Sequence, residues 1–346
     1  MPLKEVCFAS LTALLIGLLA ACNTQTPASP AQTPDEFQAG DVPEYKPRVA
    51  GEVHTVTLPD PDGNPVALSY EVIDGLAIFD GDMILGTAEE FAQFADADEI
   101  VLNPQSAAFH ERVCWKFIFN LKCKAFRWPD GIVPYTFRND WGDQSTNLMM
   151  RQRIREAMDE VEAVTAVRFV PRNGHDDYVR FQDSSGCSAH VGRQGGRQRL
   201  NLHANCGKWI VVHELLHALG FMHEHTRHDR DEYVTVHEEN IRNVPAGFRE
   251  FQPELRNFRQ TKKAFDLGPY DYDSIMHYPK WAFAEDADAC RAGDLSVCMI
   301  IAKNGVPPGD IGQTSFLSDG DIAGINFLYI GPAPELTLIS PAGKPL

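Results

Sequence analysis

His213-Glu214-Leu215-Leu216-His217-Ala218-Leu219-Gly220-Phe221-Met222-His223 is the stretch from which both the fold and the chemistry of this 346-residue chain are read. Its first half belongs to a run, residues 209–219, that is apolar nearly all round and is therefore expected as a buried helix. Three titratable groups inside such a helix are costly unless something pairs with them. On a helix, residues four apart lie only about 40° apart around the axis, so His213 and His217 can aim two imidazoles at one point. A zinc ion at roughly 2.0–2.1 Å from each nitrogen fits that geometry. Glu214 lies beside His213 around the helix, placed to hydrogen-bond a water at the metal without ligating it. Gly220 can adopt the left-handed conformation that ends a helix, and the chain then turns back so that His223 supplies a third nitrogen. Three histidines leave one coordination position open, as catalytic zinc requires and structural zinc does not. The alternative, a helix of satisfied core histidines, demands a separate buried partner for each. Of the 12 histidines, the others, including His225, His228 and His277, are expected as packed or solvated side chains.

Upstream of this segment, the pattern 150, 154, 157, 158, 161 and 164 places Met150, Ile154, Ala157, Met158, Val161 and Val164 on one helical face, read as core packing. Residues 131–137, 167–170 and 178–181 read as strands, and 188–202, interrupted by Gly192, Gly195 and Gly196, as a looped strand pair. Further upstream, residues 53–72 are strand-rich with a turn at 61–64, and Thr87 followed by Glu89 and Glu90 starts a capped helix. This N-terminal part has little apolar mass of its own and is expected to lean on the rest.

The first residues read as an export signal. Residues 11–21 form an apolar run of signal-core length, too short for a comfortable membrane span. The run ends Leu19-Ala20-Ala21-Cys22, which resembles a bacterial lipobox with Cys22 as the lipidated residue; the other reading is a plain signal cut near Ala21. Residues 23–47, rich in Thr, Pro, Ala and Gln, cannot bury a core and suit a flexible tether. Of 8 cysteines, those beyond Cys7 and Cys22 are Cys114, Cys123, Cys187, Cys206, Cys290 and Cys298. Their spacing favours local disulfides in an exported chain. A net charge of −17 argues against general affinity for nucleic acid, whose phosphates would be repelled.

The segment 213–224, followed by His225-Thr226-Arg227-His228-Asp229-Arg230-Asp231-Glu232-Tyr233-Val234, resembles the astacin family of metzincin zinc metalloproteases. A second landmark, Ser274-Ile275-Met276-His277-Tyr278, is similar to the family's Met-turn, and Glu224 directly after the third histidine points the same way. The likeness extends over residues 128–329. It implies an α+β, two-lobed metzincin-type fold: a mixed twisted sheet with long helices in the upper lobe, and a largely irregular lower lobe with a C-terminal helix. The resemblance makes Met276 the floor of the metal site and Tyr278 a further zinc ligand that swings to stabilise the transition state. It makes Glu224 the anchor of the mature N-terminus and Cys187–Cys206 a disulfide. For Tyr278 a core tyrosine on a turn remains the alternative, and for Glu224 a solvated glutamate. Phe79-Asp80-Gly81-Asp82 resembles the family's pro-region motif, in which Asp82 takes the metal position that water needs; as a four-residue string it also reads as a turn.

Two departures stand out. The positions of the family's second disulfide hold Ala166 and approximately Gly331, while Cys290 and Cys298 lie in an insertion after the Met-turn. Cys114 and Cys123 bracket the region where the pro-region would be cut, so a bond between them would keep the pieces joined. The organisation expected is a signal with lipobox (1–22), a tether (23–47), a pro-region with an aspartate switch (48–120), a catalytic domain (121–330) and a tail (331–346). The activity expected is zinc-dependent peptide hydrolysis with Glu214 as general base. The partners expected are protein or peptide substrates, the chain's own pro-region as inhibitor, no nucleic acid, and a membrane only through lipid at Cys22. Substrate would lie extended along an edge strand, which the resemblance puts near residues 188–192. The competing readings are an inactive lipid-anchored peptide-binding or adhesion module on the same fold, and a zinc amidase acting on cell-wall peptides.

Overall fold

The computed structural model describes residues 51–59, 65–92, 127–241, 266–303, 305, 311–330 and 338–339, which all fall in one compact unit. Cys22, the 23–47 segment, Cys114, Cys123 and the turn at 61–64 lie outside the described residues.

The N-terminal strands β1 (Glu52–Pro59), β2 (Pro65–Ile73), β3 (Leu76–Phe79) and β4 (Met83–Thr87) form an antiparallel meander. Helix α1 (Ala88–Ala92) follows. Thr87 and Glu90 cap it reciprocally: Thr87 Oγ1 accepts from the Glu90 N–H at 3.2 Å and Glu90 Oε2 accepts from the Thr87 N–H at 2.9 Å. Only small apolar clusters stand behind these strands, one of them Val56, Tyr70, Ala77 and Phe91. The meander gains a larger neighbour by joining the sheet of the following residues, as its meagre apolar content predicted.

That sheet contains β5 (Ile132–Phe137), β6 (Arg168–Pro171), β7 (Tyr178–Gln182), β8 (Cys187–His190) and β9 (Arg197–Leu202). Among the described residues it has nine strands in the order β1-β2-β3-β4-β8-β9-β7-β5-β6. Strands β9, β7, β5 and β6 run parallel, β8 is antiparallel to β9, and β4 joins β8 in parallel, so the sheet is mixed. The strand pair expected over 188–202 is β8 and β9.

Helix α2 (Gln144–Val164) crosses from β5 to β6, capped by the Asp143 side chain, which accepts from the Thr146 N–H at 2.8 Å. It buries Met150, Ile154, Ala157, Met158 and Val161. Val164, expected on the same face, is 43% exposed because the helix ends there and the apolar stripe has run past the core. Helix α3 (Lys208–Leu219) packs against α2 and is buried from Ile210 to Leu219, as its continuous apolar run requires. Fully buried aliphatic side chains such as Leu215 and Leu216 contribute roughly 1.5–3 kcal/mol each.

A second core gathers Val234, Ile241, Tyr270, Tyr278, Phe283, Met299, Ile300 and Ile311, distinct from the one under the sheet. Its regular structure is sparse: β10 (Val234–Val236) pairs with β12 (Ile300–Ala302), and short α4 (Ala287–Arg291) is tied by a Cys290–Cys298 disulfide. Helix α5 (Asp319–Tyr329) closes the domain. The result is the expected pair of lobes, a regular one with the mixed sheet and long helices and a largely irregular one. The tail behaves differently from expectation at one point: β13 (Leu338–Ile339) pairs with β11 (Asp266–Leu267). Among the described residues no helix is long and apolar enough to cross a membrane.

Candidate metal centre and active site

Helix α3 places His213 and His217 one turn apart, with ring centroids 4.7 Å from each other. The helix stops at Gly220, whose φ of +119° is the backbone region that favours glycine. The Gly220 N–H donates to Leu216 O and His217 O, while Trp128 Nε1–H and the Tyr329 hydroxyl donate to Ala218 O and Leu219 O, each at 2.9 Å. These donors satisfy carbonyls that a helix end otherwise leaves orphaned. The reversal brings His223 Nε2 to 3.2 Å from His213 Nε2.

The opposite ring nitrogens define the chemistry. His213 Nδ1 lies 2.8 Å from Ile275 O, and His217 Nδ1 lies 2.7 Å from Phe221 O. A carbonyl only accepts, so in both rings Nδ1 carries the proton and Nε2 presents a lone pair. His223 Nδ1 lies 2.8 Å from Asp80 Oδ2. Asp82 completes the group. Its Oδ1 lies 3.2 Å from His217 Nε2 and from His223 Nε2, and its Oδ2 lies 3.4 Å from His213 Nε2. Asp82, His213, His217 and His223 offer ligand atoms all within 4.8 Å of one another, and all four residues are buried.

Burial lowers the pKa of His217 to about 4. Burial works the same way on His223, but the carboxylates of Asp82 and Asp80 outweigh it and raise that ring to about 10. A proton on His223 therefore answers the two carboxylates, and a bound divalent ion would take its place, since metal binding at imidazoles releases protons. Three imidazole nitrogens and one carboxylate oxygen, buried and facing one another, suit zinc by number and donor type. Glu214 is 1% exposed, and its Oε2 has no partner among the described residues. Burial first, and then the Asp82 charge, push its carboxyl well above the ordinary range.

Met276 is buried in the 274–278 turn and its carbonyl accepts from the Glu224 N–H at 3.0 Å. The turn is held from below by Asp321, which caps α5 and also accepts from Ser274 Oγ and the Ile275 N–H. Tyr278 is fully buried; its hydroxyl donates to Asp80 O at 2.9 Å, and its ring lies 4.6 Å from the His223 ring and stacks on His225 at 4.0 Å. Glu224 Oε1 accepts from the Asp271 N–H at 2.8 Å and from Arg227 at 3.2 Å. Cys187 and Cys206 are bonded, which joins the start of β8 to the approach to α3.

Sequence reasoning passed over Asp80, although it stood in a quoted motif, and Asp321. The signal for Asp321 was the Ser318-x-x-Asp321 spacing of a capping box; Asp80 carried no signal beyond its place beside Gly81-Asp82. His225 and His277, given only ordinary packing roles, are packed around Tyr278. His277 Nδ1–H donates to Tyr278 O and Nε2 accepts from the Tyr270 hydroxyl, each at 2.7 Å.

The edge expected to receive substrate is β8, and it is occupied. Met83 and Ile84 of β4 pair with Ala189 and His190, and the Ala189 N–H donates to Asp82 O at 3.0 Å.

Three converging imidazoles beside a buried glutamate whose Oε2 has no partner among the described residues define a mononuclear zinc centre of the hydrolytic kind. Residues 120–330 match the family model of the astacin peptidases. The match covers more than half of the chain, which belongs to the astacin family of zinc metalloproteases, with one catalytic zinc ion as cofactor. Similar proteins include zinc metalloproteinase nas-14 of Caenorhabditis elegans, 40% identical over 209 residues, and bone morphogenetic protein 1 of Xenopus laevis, 38% identical over 225 residues. These alignments take in 58% and 63% of this chain but only 37% and 29% of those relatives. Among solved structures, high choriolytic enzyme 1 of Oryzias latipes, a hatching-enzyme zinc protease, is 32% identical. That alignment covers 60% of this chain and 96% of that one, with a TM-score of 0.46.

Proposed function

We propose that this chain is an exported zinc endopeptidase made as an inactive precursor, with residues 48–120 as the pro-region and residues 121–330 as the catalytic domain. His213, His217 and His223 hold the metal, and Asp82 occupies the position that the attacking water needs. Zinc bound there supplies Lewis acidity toward the scissile carbonyl and lowers the pKa of water. Glu214 takes the proton of the attacking water and passes it to the leaving amine nitrogen. Tyr278, once its hydroxyl leaves Asp80 O, donates to the oxyanion as charge develops on it. Strand β8 pairs with the extended backbone of a protein or peptide substrate after β4 has left it. Met276 supports the metal site from the turn below. Glu224 receives the new N-terminus by exchanging its present partners, Arg227 and the Asp271 N–H. Lipid at Cys22 and the tether at 23–47 hold the domain at a cell surface, and in a chain cut near Ala21 the enzyme is extracellular.

The observation that carries this reading is Glu214. A buried carboxylate oxygen that has no partner among the described residues, beside three converging imidazoles, is placed to act as a base. The test is Glu214→Gln in the activated enzyme. Cleavage of a peptide library should fall by roughly 10²–10⁴-fold with zinc content unchanged, and a chelator should abolish cleavage by the parent. Turnover at the parent's rate by Glu214→Gln would remove the base assignment, and peptide cleavage by neither protein would leave a binding module.

A further inference from the structure

Two of the three imidazoles are steered by carbonyls of their own domain, Ile275 O and Phe221 O. The third is not. His223 Nδ1–H finds its acceptor in Asp80 Oδ2, 143 residues away in the turn between β3 and β4. Asp80 sits in this turn with a φ of +51°, and its side chain is buried at 5% exposure. Its main-chain carbonyl accepts from the Tyr278 hydroxyl at 2.9 Å. A single residue of the proposed pro-region thus engages both a metal-directed histidine and the tyrosine beside it.

We propose that Asp80 is a positioning residue for His223 that exists only in the precursor, and that it makes the precursor hold zinc more tightly than the released catalytic domain does. This rests on the reading of residues 48–120 as an inhibitory pro-region. A carboxylate accepting from Nδ1–H fixes the ring and makes Nε2 a stronger donor to a metal, and loss of such a partner costs roughly 10- to 100-fold in affinity. Charge balance acts in the same direction. Asp80 and Asp82 place two negative charges in a buried site, and one divalent cation neutralises both, whereas either carboxylate alone leaves the ion with excess charge away from water. Departure of the segment strips Asp80 from His223 while His213 and His217 keep their carbonyls.

The experiment uses the intact precursor with Asp80→Asn, which tolerates the positive φ and keeps a neutral acceptor, and with Asp80→Gly, which tolerates it and keeps none. Zinc release to a chromogenic chelator is measured beside the visible spectrum of the cobalt-substituted protein. The expected result is release faster by about 10-fold in Asp80→Asn and up to about 100-fold in Asp80→Gly, with shifted cobalt bands in both. Release at the parent's rate in both variants overturns the inference. Faster release with unchanged cobalt bands marks loosened packing and overturns the positioning role. If Asp80→Asn does not fold, Asp80→Gly alone decides between the same outcomes. Asp82→Ala is run in parallel as a check on latency itself. A zinc-loaded Asp82→Ala precursor that stays inactive removes the inhibitory reading, whereas an active one with unaltered zinc release in the Asp80 variants removes only the inference about Asp80.

Discussion

Replacing Asp321 should damage the metal site from a position that touches no ligand. Asp321 is 6% exposed and accepts three hydrogen bonds: from Ser274 Oγ at 2.7 Å, from the Ile275 N–H at 2.9 Å and from the Ser318 N–H at 3.1 Å. Ile275 O in turn receives His213 Nδ1–H. Asp321→Ala leaves two backbone donors and a hydroxyl stranded in the interior, each at about 1–3 kcal/mol, partly offset because the carboxylate itself no longer has to be buried. Three stranded donors less that offset give a net loss of about 3–5 kcal/mol, or a melting temperature lower by roughly 6–20 °C for a domain of this size. Asp321→Asn should lose only about 1 kcal/mol, because its oxygen still accepts from a backbone N–H while its NH2 turns to Ser274 Oγ, which can accept. Calorimetry in saturating zinc reads the stability, and chelator competition reads the metal, where the alanine variant should lose about 10-fold in affinity. Alanine and asparagine variants of equal stability would refute the hydrogen-bond reasoning. A destabilised alanine variant that keeps the parent's zinc affinity would refute the link from the helix cap to His213.

Two further predictions concern His277 and Gly220. Burial lowers the His277 pKa from 6.5 to about 4, so the unfolded chain takes up this proton near pH 6.5 and the folded chain only near pH 4. Stability that is intact above pH 6.5 is therefore lost as pH falls toward 4, by about 3 kcal/mol, and denaturant melts of His277→Gln at pH 7, 5.5 and 4 should show a shallower decline than the parent; parallel declines would sink the assignment. Gly220→Ala forces a side chain onto a φ of +119° at a cost of about 1–3 kcal/mol and displaces both Phe221 O and His223, so thermal stability and zinc affinity should fall together, and a variant unchanged in either would contradict the role given to this glycine.

The parts of the site that were legible in the sequence are those whose geometry is local. His213, His217, Gly220 and His223 span eleven positions, and helix periodicity plus a left-handed cap suffices to converge them. The Cys187–Cys206 bond was legible through the family resemblance, and spacing that favours local pairs agreed with it and with Cys290–Cys298, at separations of 19 and 8 residues. Asp80 was not, because nothing in a turn sequence says which histidine 143 residues away its carboxylate will meet. The mixed sheet was expected, but not its extension by β4, since alternation marks a strand without naming its neighbour. The position of Tyr278 was legible from its motif, but its hydrogen bond to Asp80 O was not, because that partner lies 198 residues away.

On the proposed reading, the same edge explains both inhibition and release. Strand β8 must stay open for extended substrates, and an open edge is also a template for unwanted pairing. Strand β4 covers it, yet the register pairs only Met83 with Ala189 and Ile84 with His190. Net backbone hydrogen bonds of about 1 kcal/mol each, over so short a ladder, hold the segment weakly. The remaining grip comes from what the ladder delivers: buried Met83 and Ile84, and the Asp80-Gly81-Asp82 turn seated among the histidines. A bound metal's charge and the arrival of the turn as part of a connected chain would add to that grip. Cutting the connection replaces an intramolecular contact with one at the dilute concentration of a free fragment, so a short ladder lets the segment leave where a long one would persist as an inhibitor.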